Sequence, residues 1–598
     1  MPLSGRKRIV RRETGSIPAA LADLHPVLAR VCAGRRVQSA EELEHGLERL
    51  LPFDALKGIG GAVRLLERAL REGWSITVVG DFDADGATST AVAVRALRSM
   101  GVERVDFLVP NRFEYGYGLT PEIVAVVAER RPDLIVTVDN GISSLDGVAA
   151  AKAAGMHVLV TDHHLPGEHL PEADAMVNPN QPGDRFASKA LAGVGVIFYV
   201  MLALRAHLRE QGWFEQQGVE PPNLARLLDL VALGTVADVV PLEHNNRILV
   251  AQGLGRIRAG KGSPGIQALI EIANRRPERL VSGDFGFAIG PRLNAAGRMD
   301  DMSVGIRCLL SYDLHEARKL AAELENLNRA RRETEQSMRE EAMEELQRMH
   351  LESDGELPFG LCLYDPAWHE GVIGILASRI KERVHRPVIV FTDAGTGDIK
   401  GSARSVPGVH IRDALDAIAA RHPAMLKRFG GHAMAAGLTL HADVLEEFRL
   451  LFDSEVRRHL NADDLNGVVA SDGPLEAEAI GLELADTLRM AVPWGQGFPE
   501  PVFDDRFEVV SKRIVGERHM KLLLKKPGSE GHLFDAIAFN ADLAMWETSP
   551  KMVEAAFRLD VNEYRGRRSV QFIIEHLEPA AEGKATAVIT ENAEFTEG

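Results

Sequence analysis

The chain has 598 residues, a formal net charge of −17 at pH 7, and hydrophobic and charged fractions of 45% and 26%. A chain of this length is too long for one hydrophobic core and predicts roughly three or four domains. The negative net charge argues against a protein that binds nucleic acid over its whole surface. Binding through a local basic patch is still compatible with that charge. No apolar stretch reaches about 18 residues without charges, which excludes a transmembrane helix, and no apolar run follows the basic N-terminus as a secretory signal requires.

An alternating pattern of strands and helices follows an N-terminal segment, residues 1–55, to which the sequence assigns no role. In residues 56–280 the predicted strands are "SITVVGD", "RVDFLVPNR", "LIVTVDNG" and "HVLVTDHH", with helical stretches between them. Short apolar runs that alternate with helices are typical of βαβ units and a parallel sheet. Ligands of such sheets bind beyond the carboxyl ends of the strands.

Polar residues stand at that edge of the predicted sheet. They are Asp81, Asp83 and Asp85 after the first strand, Asp139 after the third, Asp162, His163 and His164 after the fourth, and Asp238 in "GTVADVVPL" further on. One aspartate before a turn is explained as a helix cap, and Asp238 alone is equally well a loop residue. Three carboxylates within five residues, however, repel one another unless a cation lies among them.

This donor set predicts a divalent metal centre. Carboxylates with neutral imidazole suit Mn²⁺ better than Ca²⁺ or Mg²⁺ alone. So many ligands are enough for two metal ions about 3.5–4 Å apart, the arrangement that hydrolyses phosphate esters and anhydrides. The chain contains no "GxxxxGK[ST]" motif, so hydrolysis fits better than transfer driven by a nucleoside triphosphate.

Two further segments carry candidate contacts to a phosphate-bearing substrate. Arg112 and Tyr115 follow the second strand, where an arginine among aromatic residues suits phosphate contact and base stacking, unless the aromatic rings pack the loop onto the core. In residues 281–355, the glycine-rich "SGDFGFAIGPRLNAAGRM" contains Arg292 and Asn294. Residues 313–350, which are dense in charges and lack Gly and Pro, predict one long connecting helix.

Residues 356–462 predict a second α/β domain. In its "KGSAR" stretch, Ser402 and Arg404 can clamp a phosphate through charge-assisted hydrogen bonds, with an ordinary surface loop as the alternative. In "FGGHAMAAG", His432 follows two glycines that allow close backbone approach.

Residues 463–580 contain several short β-rich runs, which predict a small barrel of the OB-fold type. A basic cluster in it, with Phe503 and Phe534, predicts a track for single-stranded DNA, although a solvated strand face explains the charges equally well. The cluster consists of Lys512, Arg513, Arg518, Lys521, Lys525 and Lys526. Residues 581–598 are expected to be a disordered tail.

The order of these motifs resembles the DHH phosphoesterase superfamily. The matching stretches are "GDFDADG", "PNRFEYGYGL", "VDNG", "DHH", "GTVADVVPL", "GPRLNAAGRM", "WHEGVIGILASRI", "KGSARS" and "FGGHAMAAG". The resemblance spans about residues 78–437 and implies an α/β protein. Its parallel-sheet DHH catalytic domain would be followed by a long connecting helix, a second α/β DHH-associated domain that holds the substrate, and the predicted C-terminal β-barrel.

The resemblance also implies roles for individual residues. The metal ligands would be Asp83, Asp85, Asp139, His163 and Asp238, with Asp81 and Asp162 either as ligands or as groups that orient them. His164 would contact the scissile phosphate or protonate a leaving oxygen, in a catalytic group with Asp139 and Asp83. Ser402, Arg404 and His432 would hold the 5′ phosphate or the first nucleotides, and Arg112, Tyr115, Arg292 and Asn294 are the other expected DNA contacts.

Within the superfamily, the full motif set resembles that of the bacterial exonucleases that degrade single-stranded DNA 5′→3′ to 5′-mononucleotides. That resemblance implies a Mn²⁺- or Mg²⁺-dependent monomeric enzyme of recombinational repair and mismatch excision, acting with a helicase and a single-strand-binding protein. The alternatives are a phosphodiesterase of oligoribonucleotides or cyclic dinucleotides, and a scaffold without catalysis. Cys32, Cys308 and Cys362 lack disulfide or metal-ligand spacing, which predicts a reducing, cytoplasmic location. Because no apolar stretch is long enough to span a bilayer, no membrane partner is expected.

Overall fold

The computed structural model describes residues 7–111, 115, 118–352, 357–516, 519–529, 531–541, 546, 550–564 and 566–580. The chain forms two compact units. The first unit comprises Thr14–Asn328 and Asp486–Glu500, and the second unit comprises Arg329–Ala485 with the described residues before Thr14 and after Glu500. Among the described helices, none is both long and apolar enough to cross a lipid bilayer.

The regular elements are numbered in chain order. The strands are β1 (Lys7–Arg11), β2 (Ile76–Gly80), β3 (Val105–Leu108), β4 (Leu134–Val138), β5 (His157–Thr161), β6 (Ala175–Val177), β7 (Leu361–Tyr364), β8 (Val388–Gly395), β9 (Asp398–Arg404), β10 (Arg428–Gly431), β11 (Ala435–His441), β12 (Gly467–Ser471), β13 (Phe503–Val515), β14 (His519–Lys525), β15 (Phe534–Ala538), β16 (Met552–Tyr564) and β17 (Arg567–Pro579). The helices are α1 (Pro26–Ala33), α2 (Ile59–Arg71), α3 (Ala84–Ser99), α4 (Pro121–Glu129), α5 (Leu145–Ala153), α6 (Gly193–Glu210), α7 (Trp213–Gln217), α8 (Leu228–Ala237), α9 (His244–Arg258), α10 (Pro264–Ile272), α11 (Ser282–Asp284), α12 (Gly290–Met299), α13 (Ser303–Leu310), α14 (Leu314–Glu352), α15 (Glu370–Val384), α16 (Ile411–Arg421), α17 (Leu445–Val456) and α18 (Leu482–Met490).

The first unit is built on a parallel sheet, as the sequence predicts. Its strand order is β3-β2-β4-β5-β6, and every neighbouring pair is parallel. β2 and β4 are buried along their whole length, which explains why they read as continuous apolar runs rather than alternating ones. The edge strand β6 has only three residues, which is too short for a sequence pattern to predict it.

The long charged helix is present as α14, which has 39 residues and confirms the predicted connecting helix. The division between the two units falls within it, after Asn328. Its charges are partly structural. On the first-unit side Glu325 pairs with Arg292, and on the second-unit side Glu335 pairs with Arg379.

The second unit contains the predicted second α/β domain and the predicted barrel. The α/β domain has a mixed sheet in the order β10-β11-β9-β8-β7, and the strands β13-β14-β15-β17-β16 close into a five-stranded barrel. Phe503 and Phe534 are 0% and 4% exposed and pack among the aromatic side chains of the barrel core. The expectation that these two rings contact DNA is therefore wrong, because in a closed barrel the inward positions fill the interior.

The N-terminal segment contributes a strand to the second unit. β1 pairs in parallel with β12, with Lys7 opposite Gly467 and Arg11 opposite Ser471. The Arg11 guanidinium binds both carboxylate oxygens of the fully buried Asp504, with Nη2 2.7 Å from Oδ2 and Nε 3.0 Å from Oδ1. Part of residues 1–55 thus has a structural role that the sequence did not indicate.

Candidate metal centre

The first aspartate cluster lies in the turn between β2 and α3. Asp83 is the N-cap of α3, and its Oδ1 accepts hydrogen bonds from the backbone N–H groups of Asp85 (2.9 Å) and Gly86 (3.0 Å). The side chain of Asn294 on α12 adds a further constraint, because its Oδ1 accepts the N–H of Ala84 at 2.7 Å. These bonds fix the carboxylate-bearing turn against two helices.

Asp85 is buried and held by the first turn of α6. Its two oxygens accept the backbone N–H groups of Gly193 (2.7 Å) and Val194 (3.0 Å), the first residues of that helix. A carboxylate at a helix N-terminus is stabilised by the unpaired N–H groups and the helix dipole. Burial, with the charge of Asp83, nevertheless outweighs these bonds and raises the pKa of Asp85 to about 7.

Asp139 follows β4 in a left-handed conformation, with φ of 62° and a side chain that is 2% exposed. Aspartate is one of the few residues that enter this region at modest cost. Burial raises its pKa well above the usual range, and the charges of Asp85 and Asp83 add to that effect. Gly193 leaves just enough room here, because a Cβ at that position would lie 2.5 Å from Asp139 Oδ1.

His163 and His164 follow the end of β5 rather than lying within the strand. Their rings are neighbours, with centroids 4.5 Å apart, but they have different partners. His163 Nε2 lies 3.1 Å from Asp139 Oδ1 and 3.5 Å from Asp238 Oδ2. His164 Nδ1 lies 2.7 Å from Asp162 Oδ1.

Asp162 orients both histidines through hydrogen bonds to their backbone. Its Oδ1 accepts the backbone N–H groups of His163 and His164, and its Oδ2 accepts that of Ile142 at 2.9 Å. Burial opposes ionisation of Asp162, but the hydrogen bond and charge of His164 lower its pKa below the usual value. Burial likewise acts to lower the pKa of His164, and the hydrogen bond and charge of Asp162 reverse this and raise it.

Asp238 closes the cluster from the C-cap of α8. Its Oδ2 atom is buried and accepts no hydrogen bond from the residues that the structure describes. Burial, together with the charges of Asp85 and Asp83, raises its pKa well above the usual range. A shielded carboxylate oxygen that faces an imidazole nitrogen is a typical metal-ligand geometry.

The donor set fits divalent cations. Among the described residues, ligand atoms lie within 4.8 Å of one another in three groups: Asp81, Asp83 and Asp139; Asp85, His163 and Asp238; and Asp139, His163 and His164. The first two groups have no member in common and are joined by the contact between Asp139 and His163. Carboxylates that raise each other's pKa in this way are stabilised when a cation replaces their protons.

Three of the four predicted DNA contacts of the first unit are described, and each has another partner in this structure. Arg112 lies outside the described residues. Tyr115 packs against the core cluster around Leu108, which agrees with the packing alternative. The Arg292 guanidinium lies 2.6 Å from Glu325 and donates to the carbonyl of Ala288, and Asn294 braces the Asp83 turn.

In the second unit the structure brings Ser402 and Arg404 together. Both lie on β9, with Arg404 Nη1 3.2 Å from Ser402 Oγ. A Cβ added to Gly374 on α15 would lie 2.9 Å from that Oγ, so the helix approaches the pair closely. His432 is exposed in the turn between β10 and β11, and Arg404 pairs with Ala435 just beyond that turn.

The described part of the basic barrel cluster is largely paired with acids or carbonyls. Lys526 binds Asp505 at 2.8 Å, and Lys521 lies 3.4 Å from Asp535. Lys512 and Arg513 lie on an exposed part of β13, and Lys512 donates to the carbonyl of Trp546 at 2.8 Å. Arg518 is outside the described residues.

Several residues that support the centre were missed from the sequence. Asn178 and Asn180 donate to the backbone carbonyls of His164 (2.9 Å) and His163 (2.6 Å) and hold the histidine loop in place. Gly193 supplies both an N–H group and empty space. The only available signals were "VNPNQ" and "GVGV", and neither identifies a partner without the fold.

Known proteins resemble this chain along most of its length. Family models match residues 75–235 ("DHH family, N-terminal domain"), residues 358–458 ("DHHA1 domain") and residues 471–576 ("RecJ OB domain"). A protein of Salmonella typhimurium named "Single-stranded-DNA-specific exonuclease RecJ" is 55% identical over 575 residues, which cover 96% of this chain and 99% of the relative.

Solved structures agree with this relationship. The crystal structures of RecJ from Thermus thermophilus in complex with Mn²⁺ and with Mg²⁺ match this chain with TM-scores of 0.77 and 0.72 and identities of 32% and 30%. Each match covers 96% of this chain, and 80% and 79% of the respective crystallised chains. That relative was crystallised with Mn²⁺, the cation that the donor set of this chain favours, and also with Mg²⁺.

Proposed function

Because the chain belongs to the RecJ family of single-stranded-DNA-specific exonucleases, we propose that it degrades single-stranded DNA from the 5′ end and releases 5′-mononucleotides. One observation carries the proposal. Five aspartates and two histidines converge at the carboxyl edge of a parallel sheet, mostly buried, with carboxylates close enough to repel one another unless a cation or proton lies among them.

The residues that would hold the cations are Asp81, Asp83, Asp85, Asp139, His163 and Asp238. The two groups without a common member support a pair of Mn²⁺ or Mg²⁺ ions. Such a pair lowers the pKa of a water molecule, binds the phosphoryl oxygens and stabilises the leaving oxygen. Asp85, whose oxygens also accept two backbone N–H groups, would be held by those bonds in a fixed orientation as a ligand.

The chain's own contribution to the reaction centres on His164. Its Nδ1 is engaged by Asp162, so the ring presents Nε2 on its opposite side. A histidine oriented in this way can hold a phosphate oxygen and deliver a proton from Nε2 to the leaving oxygen. Asn178 and Asp162 limit the movement of the loop and keep that atom in position.

We propose contacts to the substrate strand for each unit by itself. Arg404, which lies beside Ser402, would bind the 5′ phosphate together with that hydroxyl and His432. Arg112 would contact the strand in the first unit, where Tyr115 packs against the core instead. Arg292 and Asn294 would act by shaping the centre, given their bonds to Glu325 and Ala84.

The cellular setting follows from the family and from the chain's chemistry. We propose a monomer in the cytoplasm that acts in recombinational repair and mismatch excision, behind a helicase and beside a single-strand-binding protein. Cys32, Cys308 and Cys362 are buried and form no disulfide, which suits a reducing compartment. Light scattering of the purified chain tests the monomer directly.

The decisive test uses single-stranded DNA labelled separately at each end, incubated with the full chain and Mn²⁺. We expect the 5′ label to appear first, as a mononucleotide. Duplex DNA of the same sequence should persist. Release of the 3′ label first would contradict the polarity, and activity confined to dinucleotides would contradict the substrate class.

Asp139→Ala provides the matched control. Because Asp139 belongs to the proposed ligand set but not to the proposed strand contacts, we expect hydrolysis to be abolished while binding of the labelled strand stays measurable. Fluorescence anisotropy of the labelled strand, beside the cleavage assay, separates the two effects. Cleavage at the wild-type rate would show that the metal centre is assigned wrongly.

A further inference from the structure

A second concentration of charge lies in the first unit, in a pocket that shares no residue with the metal centre. The pocket has a volume of about 480 Å³ and is lined by Arg95, Asn223, Arg226, Arg256, Lys261 and Ser263. Four of these six residues are cationic, and none of the six is acidic. A neighbouring cavity of about 440 Å³ shares Arg256 and Lys261 and also contains His45.

Three buried polar atoms on residues that line this pocket have no hydrogen-bond partner among the described residues. They are Nε of Arg95, Nε of Arg256 and Oγ of Ser263, and the residues Arg95 and Ser263 are 9% and 8% exposed. Buried polar atoms are normally satisfied by protein groups or by water, so these three atoms are available to a bound ligand. Arg95 is anchored by the bond from its Nη2 to the carbonyl of Ser311 at 2.9 Å and by its position over the Tyr312 ring.

Ser263 gives the pocket a second feature of anion sites. It is the N-cap of α10, a helix of nine residues, yet its hydroxyl accepts none of the N–H groups that an N-cap usually satisfies. Those N–H groups and the helix dipole favour an anion at this end. The Asp229 carboxylate beside it is buried and accepts the backbone N–H groups of Ser263 (2.6 Å) and Leu230 (2.9 Å).

Exposed cationic side chains lie at the mouth of the pocket. Arg226 and Lys261 are exposed, and Arg256 holds Lys261's loop by donating to its carbonyl at 3.3 Å. Rigid buried donors at the base and long cationic side chains at the rim suit a compact anion of high charge. Phosphate groups combine that charge with several acceptor oxygens.

We propose that this pocket binds a small phosphate-bearing anion, such as pyrophosphate or a nucleoside 5′-monophosphate, at a site separate from the metal centre. Arg95 and Ser263 would contact the phosphate oxygens, and Arg226, Arg256 and Lys261 would neutralise the charge. The volume fits a molecule of that size rather than a folded partner.

The test is equilibrium dialysis of the full chain against labelled pyrophosphate, and separately against a labelled nucleoside 5′-monophosphate, at constant ionic strength with EDTA present. EDTA removes cations from the metal centre, whose carboxylates then repel the probe. We expect saturable binding of at least one of the two anions to a single site. The stronger of the two identifies the ligand type.

Two charge-reversal variants locate that site. Lys261→Glu is expected to weaken binding by more than about tenfold, whereas Arg64→Glu, an equal change of charge on an exposed part of α2, should leave it unaltered. Equal losses in both variants would show only a response to net charge and overturn the proposal. The proposal would also be overturned if neither anion bound saturably, or if only single-stranded oligonucleotides bound the pocket.

Ser263→Ala separates binding from folding. Because the Ser263 hydroxyl makes no hydrogen bond within the described structure, its removal should leave Tm unchanged while it weakens anion binding several-fold. If Ser263→Ala binds the anion with wild-type affinity, Ser263 does not contact the ligand and the proposed site at the N-terminus of α10 is wrong.

Discussion

At the scale of single residues, the sequence predicts which side chains carry the chemistry better than it predicts what holds them. Asp139 and His163 stood out because strand ends of a parallel sheet meet at one edge, and the structure places them 3.1 Å apart. Gly193 did not stand out, because its function is the absence of a side chain beside Asp139. Only the packed fold shows that such space is needed.

Gly193→Ala tests that space. The added Cβ would lie 2.5 Å from Asp139 Oδ1, so the carboxylate must move, while the alanine keeps the N–H group that binds Asp85. We expect Mn²⁺ affinity, measured by isothermal titration calorimetry, to fall about 10- to 100-fold, as is usual when a group that orients a metal ligand is disturbed.

Gly255→Ala on α9 is the matched control, since a Cβ there meets no atom within 4 Å. This change should leave Mn²⁺ affinity intact and raise stability by about 0.5–1 kcal/mol, the usual gain of alanine over glycine within a helix. An unchanged Mn²⁺ affinity in Gly193→Ala would show that Asp139 tolerates displacement.

At the scale of elements, the predicted parallel sheet, long helix and barrel are all present. The strand pairings between segments that are far apart in the chain could not be predicted from the sequence. β1 is a five-residue strand whose partner, β12, lies more than four hundred residues further along the chain. Periodicity describes a segment but not its neighbour. The same limit explains the error over Phe503 and Phe534, whose direction depends on closure of the barrel.

Arg11→Ala tests the attachment of β1. The variant leaves the Asp504 carboxylate, which is 0% exposed, without its main counter-charge. We therefore expect the free energy of unfolding to fall by about 2 kcal/mol. The bonded Asp504 also raises the pKa of Arg11, so the guanidinium stays charged throughout the accessible pH range. Urea denaturation monitored by circular dichroism provides the measurement.

The double variant Arg11→Ala/Asp504→Asn is the control for this pair. Because the asparagine carries no charge to compensate, the double variant should lose less stability than the sum of the single variants. Strict additivity would mean that the two side chains contribute independently, and that β1 is retained by its backbone pairing alone.

At the scale of the whole molecule, a net charge of −17 has to be reconciled with a polyanionic substrate. Much of the negative charge at the metal centre is offset when cations bind there, and many surface cations are already committed to acids, as Lys526 is to Asp505. Binding of DNA must then depend on local groups of exposed basic residues. On the barrel, Arg513 is such a residue, because its side chain is exposed on β13.

Binding of DNA through exposed basic residues should show a defined salt dependence. Each phosphate contact to single-stranded DNA contributes about 0.7 to the slope of log affinity against log salt concentration. Arg513→Ala should therefore reduce that slope by about 0.7 if the guanidinium contacts a phosphate, measured by fluorescence anisotropy with EDTA present to prevent cleavage. Lys526→Ala, which removes a cation already neutralised by Asp505, should leave the slope as it is. If both variants give the wild-type slope, the strand does not follow this face of β13, and the exposed charge there serves solubility alone.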